Sequence, residues 1–251
     1  ATRLAEHVLP TEGTEAFVTT FIYECGQVLL SVGLFDGFIG LSQRALNVAE
    51  PDSAKEAMLL GNLGIVYQKR SRFGEAERMF EKALGIERKL GRLEGMANNY
   101  GNLGVIYRIQ GDLDRAQEMH TMALETDQRL KRNHGMGAHY GNLGLIHKMR
   151  GDLDQAEAVF KKALGVFSQI GDHQGVAEVS GNLGLLYQDR GDLDRAERMH
   201  NKSLEISEKL GRLEGMAAQY GNLGLVCQGR GDLNGAEGMH KKSLQISEKL
   251  G

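Results

Sequence analysis

Between Leu93 and Gln110 the apolar residues Met96, Tyr100, Leu103 and Tyr107 return at intervals of four, three and four. That is the spacing of one helical face. Gly111-Asp112 breaks the stripe, the glycine suited to a left-handed helix end and the aspartate to capping the next helix. A second stripe follows from Leu113 to Leu130: Leu113, Ala116, His120 and Ala123, with Leu124 and Leu130 slightly offset. In the preceding copy the second helix closes on Arg88-Lys89-Leu90-Gly91, where cations suit the helix dipole and glycine ends the turn. The pattern predicts an antiparallel pair of helices, each of about 18 residues and about 27 Å.

This pair is copied. Gly-Asn-Leu-Gly begins at Gly61, Gly101, Gly141, Gly181 and Gly221, always forty residues apart. A strict period of this size defines a stacked array rather than a globule around one catalytic centre. The chain divides into repeats at 53–91, 92–131, 132–171, 172–211 and 212–251, after a degenerate repeat at 14–52. In that degenerate repeat Gly26, Leu29, Phe38 and Ala45 fit the frame loosely, and Pro51 separates it from the next. Residues 1–13 read as an N-terminal helix or the remnant of an earlier hairpin. Without polar capping helices, the array reads as a piece of a larger protein. Met239, Leu244, Ile246 and Leu250, with the stem of His240, are expected to leave apolar surface exposed and to favour self-association.

Composition narrows the reading. Two prolines in 251 residues favour helix throughout, and the 34 glycines mostly occupy fixed repeat positions. A net charge of −3 from 30 basic and 33 acidic residues shows no basic stripe for nucleic acid. No apolar run reaches membrane-spanning length and no signal peptide is visible. Cys25 and Cys227 lie in distant repeats, so a disulfide between them is not expected, and the cytoplasm is the default compartment.

The residues Tyr100, Leu103, Gly104, Tyr107, Ala116, His120 and Ala123 resemble the tetratricopeptide repeat family, as do Leu60, Leu63, Gly64, Tyr67, Ala76, Phe80 and Ala83. The forty-residue period and the missing closing proline are similar to the longer repeats of kinesin light chain and Pins-type scaffolds. Sensor arrays of bacterial signalling ATPases look similar too. The resemblance implies an all-α, right-handed superhelical solenoid whose first helices line a concave groove for a peptide or helical segment. It places Asn62, Asn102, Asn142, Asn182 and Asn222 toward that groove, with Lys69, Arg108 and Lys148 around them and Gln188, Asp189 and Gln228 in the second half. The cations would favour an acidic partner toward the N-terminal half. The chaperone-tail clamp is not expected, because Gly61 with Ile65 and Gly101 with Val105 stand where it needs lysine and asparagine.

Each candidate has a structural alternative. The asparagines either bond a ligand's backbone, offering donor and acceptor together, or form a ladder between adjacent helices. The first motif glycines permit close approach of either a neighbouring repeat or a ligand. The second, such as Gly104, pairs with Ala116 where the helices of a hairpin cross. His120, His200 and His240 take the place of Phe80 and Phe160 and are expected as half-buried packing residues. His139 and His147 lack metal-ligand spacing, and no catalytic motif is present. No enzyme activity, metal or cofactor is expected, and neither nucleic acid nor membrane is a partner. The leading function is a protein-interaction module, and the alternative is a ligand- or peptide-sensing regulatory domain of a larger signalling protein.

Overall fold

The computed structural model describes residues 35–250. The expected N-terminal helix (1–13), Gly26 and Leu29 of the degenerate repeat, Cys25 and Gly251 lie outside the described residues. Among the described residues there are eleven helices and no strand. They are α1 (Phe35–Val48), α2 (Ala54–Lys69), α3 (Phe73–Lys89), α4 (Leu93–Gln110), α5 (Leu113–Leu130), α6 (Asn133–Arg150), α7 (Leu153–Gln169), α8 (His173–Asp189), α9 (Leu193–Lys209), α10 (Leu213–Gly229) and α11 (Leu233–Leu250). The chain forms two compact units that meet within α5, one ending at Thr126 and the other starting at Asp127.

The turns follow the capping chemistry. Asp112 Oδ1 accepts from Arg115 N at 3.0 Å, and Asp172, Asp192 and Asp232 accept in the same way from Gly175, Arg195 and Gly235, each at 2.9 Å. Gly111 takes φ 84° at the end of α4, and its N–H returns to the Arg108 carbonyl at 3.2 Å. Glycine recurs in this left-handed conformation at 91, 151, 171, 191, 211 and 231, whereas Ser71 and Lys131 occupy equivalent turns with φ of 57° and 55°.

Within each hairpin the second motif glycine receives a ring. A Cβ at Gly64 would fall 2.6 Å from the Phe80 ring, and one at Gly144 2.5 Å from that of Phe160. His120, His200 and His240 lie in the same way against Gly104, Gly184 and Gly224. Ala116, the other small residue expected at the crossing, is fully buried, and the group nearest the glycine is the ring one helical turn further on. His120 and His200 are fully rather than half buried, while His240 is exposed.

In the first unit Ala57, Leu60, Ala83 and Ile86 form a core with Leu46 and Met79 beside it. In the second, Phe160, Phe167, Val179, Leu183, Leu186 and Tyr187 belong to a continuous core. Charged clamps tie successive repeats there. Arg190 reaches back to Asp154 and Glu157, and Arg230 to Asp194 and Glu197. Tyr187 donates its hydroxyl to Glu157 at 2.8 Å. On α11, Leu244 and Leu250 are exposed as expected and Met239 is half-buried, but Ile246 is buried; Leu233 is exposed as well.

Candidate functional site

Helices α6 and α8 are the first helices of successive hairpins in the second unit, and a cavity of about 350 Å³ lies between them. Its apolar lining is Phe167 with Ala138, Leu145 and Val179. The amides of Asn142, Asn182 and Gln174 and the carboxylates of Asp172 and Glu178 supply polarity, and no lysine or arginine lines it.

The cavity exists because of side-chain sizes. Gly141 lines it, and a Cβ there would meet nothing within 4 Å. Packing therefore does not demand this glycine, although helical glycine costs about 1 kcal/mol relative to alanine. The other first-motif glycines differ: Gly61 and Gly221 have only ordinary contacts at 3.9 and 3.6 Å, while a Cβ at Gly181 would press on Gln219 at 3.0 Å. Deeper down, the Phe167 ring fits between Gly137 and Gly175, 2.7 and 2.5 Å from where their Cβ atoms would stand. Glu87, Asp127, Ser207 and Ser247 hold the place of Phe167 in the other repeats, and Ala57, Ala97, Ala177 and Ala217 that of Gly137. The apolar floor is thus particular to one repeat.

The five asparagines of the repeated motif are all half-buried. Asn142 Nδ2 donates to the Ala138 carbonyl of its own helix at 3.0 Å. Among the described residues no side-chain hydrogen bond joins one of these asparagines to another, and Asn182 faces the cavity with Asn142.

The flanking cations are arranged differently from the expectation. Lys148 is paired with Asp189 at 2.7 Å, so these two cancel. Arg108 is half-buried, and desolvation holds its guanidinium below the usual value. Lys69 is exposed and out of register: forty residues before Arg108 stands Gln68. Gln188 turns inward, its Oε1 3.1 Å from His200 Nε2 and its Nε2 donating to the Asn222 carbonyl at 3.3 Å. Gln219 Oε1 faces the other ring nitrogen at 2.8 Å. Burial lowers the His200 pKa, so the ring is neutral and one of the two glutamines presents its NH₂.

Elsewhere, His139 is buried and desolvation, with Arg132 adding to it, brings its pKa to about 4. Among the described residues no group of three or more His, Cys, Asp or Glu could hold a metal ion, and no helix is long and apolar enough to cross a membrane. Sequence reasoning passed over Phe167, Gly137, Asp172 and Glu178. Comparing equivalent positions across repeats would have exposed the first two, because phenylalanine and glycine depart there from every other copy.

The sequence model of the tetratricopeptide repeat matches residues 22–89, 56–129, 95–169, 135–209 and 175–249. The chain belongs to the tetratricopeptide repeat family, an all-helical repeat fold used as a protein-interaction scaffold. No curated protein matches it in sequence. Among solved structures it is similar to the apo form of RapI, with TM-score 0.78 and 15% identity over 99% of this chain and 90% of that one. It is also similar to a Rap protein complexed with Competence and Sporulation Factor, at TM-score 0.67 and 16% identity over 93% and 75%. The nearly identical TPR-like repeats of a candidate kinesin light chain from Podosopora anserina align at TM-score 0.63 and 18% identity over 79% and 98%. At these identities the likeness is one of fold.

Proposed function

We propose that the chain is a non-catalytic recognition module that binds a peptide or helical segment of a partner protein between the first helices of its hairpins. The observation that carries this is the cavity between α6 and α8, where a helix-weakening glycine is kept although no protein atom needs the space. Asn182 and Asn142 stand where an extended chain's N–H and C=O groups would pass, and an amide answers both. Burying apolar side chains of the partner supplies the drive, and the amides fix register.

The test is selection of random linear peptides on the whole protein, followed by fluorescence anisotropy with the selected peptides. Asn142→Ala with Asn182→Ala, and separately Gly141→Leu to fill the cavity, should each weaken binding at least about tenfold, or about 1.4 kcal/mol. Helicity by circular dichroism should be unchanged. Peptides that bind both variants as well as the parent would reject this groove.

A second reading is regulatory: the same groove senses a peptide signal and controls a neighbouring effector. The Rap protein of similar fold, complexed with Competence and Sporulation Factor, favours it. X-ray scattering that gives identical dimensions with and without the selected peptide would count against it.

A further inference from the structure

The structure assigns the α6–α8 cavity a ligand chemistry: an aromatic or long aliphatic side chain with a lysine or arginine beside it in the partner's sequence. This rests on the groove reading above and adds to it the identity of the segment bound.

The apolar half of the inference comes from the floor. Phe167 is buried yet lines the cavity, with Leu145, Val179 and Ala138 around it and no side chain at Gly141. The volume, about 350 Å³, sits at the small end of the roughly 300–1,000 Å³ typical of ligand pockets. One large side chain is what such a site desolvates.

The charge comes from the rim. Asp172 and Glu178 are the charged residues of the lining, with His134 the one group there able to become cationic. Asp172 spends Oδ1 on the Gly175 N–H that starts α8, and Oδ2 faces His134 Nε2 at 3.3 Å. Glu178 Oε1 accepts from Gln174 Nε2 at 3.0 Å and meets Arg212 Nη1 at 3.4 Å. Its side chain is 61% exposed. Further along the same two helices, Lys148 and Asp189 neutralise one another. Counting Arg212 against Glu178, the rim still carries one carboxylate charge more than it has permanent cations, so a cationic segment is attracted and complementarity selects the basic partner. This is opposite in sign to the acidic partner that the sequence suggested for the other half.

The experiment uses the whole protein and fluorescein-labelled peptides of matched length. One peptide carries Phe-Lys-Arg, one Phe-Gln-Gln, one Phe-Glu-Glu and one Ala-Lys-Arg, all in a Gly/Ser background. The Phe-Lys-Arg peptide should bind at least tenfold more tightly than each of the others, and raising salt should erase its advantage over Phe-Gln-Gln. Asp172→Asn with Glu178→Gln retains the helix cap and the side-chain amide bonds. It should remove the preference for Lys-Arg without weakening Phe-Gln-Gln. Equal or tighter binding of Phe-Glu-Glu, or a preference that survives the double substitution, overturns the inference while leaving the groove reading intact. Binding of every peptide that is indifferent to Gly141→Leu sinks the groove itself.

Discussion

The ring of Phe167 occupies the space that a Cβ on residue 137 would need: an alanine there would place that carbon 2.7 Å from Phe167 Cε1. Gly137 stands where the four other full repeats have alanine, and Phe167 where they have glutamate, aspartate or serine. The two departures are one packing event, and together they build the floor of the candidate site.

Gly137→Ala should therefore destabilise the second unit by about 1–3 kcal/mol, the usual cost of overpacking. In a Phe167→Ser background, which copies the Ser207 repeat, the same alanine should cost nothing or stabilise. A double-mutant cycle from urea denaturation reads the coupling directly. Additive effects would show that the ring and the glycine are independent.

The two glycines of one motif should respond oppositely. Gly144→Ala drives a methyl into the buried Phe160 ring and should cost about 1–3 kcal/mol. Gly141→Ala meets nothing within 4 Å and should stabilise by up to about 1 kcal/mol through helix propensity alone. Thermal melts of the two variants beside the parent check the order.

Lys131→Gly should raise stability by about 0.5–1 kcal/mol. Lys131 holds φ 55° in a turn where the equivalent positions 91, 171 and 211 are glycine. A left-handed non-glycine residue costs roughly 1–2 kcal/mol, partly offset by the greater unfolded entropy of glycine. A lowered melting temperature would mean that the lysine side chain contributes more than the backbone strain.

Acid should loosen the second unit before its carboxylates titrate. His139 stays neutral in the folded chain down to about pH 4, whereas unfolded histidine takes its proton near 6.5. The unfolded state then binds more protons, so stability falls as pH drops from about 6.5 to 4 and is unaffected above. Asp127, 3.4 Å from the ring, favours protonation, but burial and Arg132 outweigh it. His139→Gln, copying Gln219, should flatten that slope in denaturation midpoints measured across the window. Below it Glu157, held at about 2 by Lys161, Tyr187 and Arg190 acting against its burial, should keep its own contribution until pH falls from about 4.5 toward 2.

The periodicity made the helices, their pairing and their caps legible, because each depends on residues within one or two turns. Leu93 to Gln110 is helical over its full expected span, and Asp112 caps the helix that follows. The register of single side chains was harder. Lys69 lies one residue past the position equivalent to Arg108, which Gln68 holds, and the pattern does not show that the ring of residue 120 lies nearest Gly104. One residue of slip along a helix turns a side chain by about 100°, enough to move a charge off a face.

By itself the sequence determined a stack of helical hairpins of the tetratricopeptide type, because hydrophobic period, glycine caps and repeat length are local quantities written in every copy. The tertiary structure alone decided which groups share a space. Asp189 removes the charge of Lys148, Gln188 turns inward to His200, and Phe167 opens a floor between α6 and α8 beneath Asp172 and Glu178. Those pairings join residues from different helices, and their distances depend on how side chains of unequal size fit when the hairpins close on one another.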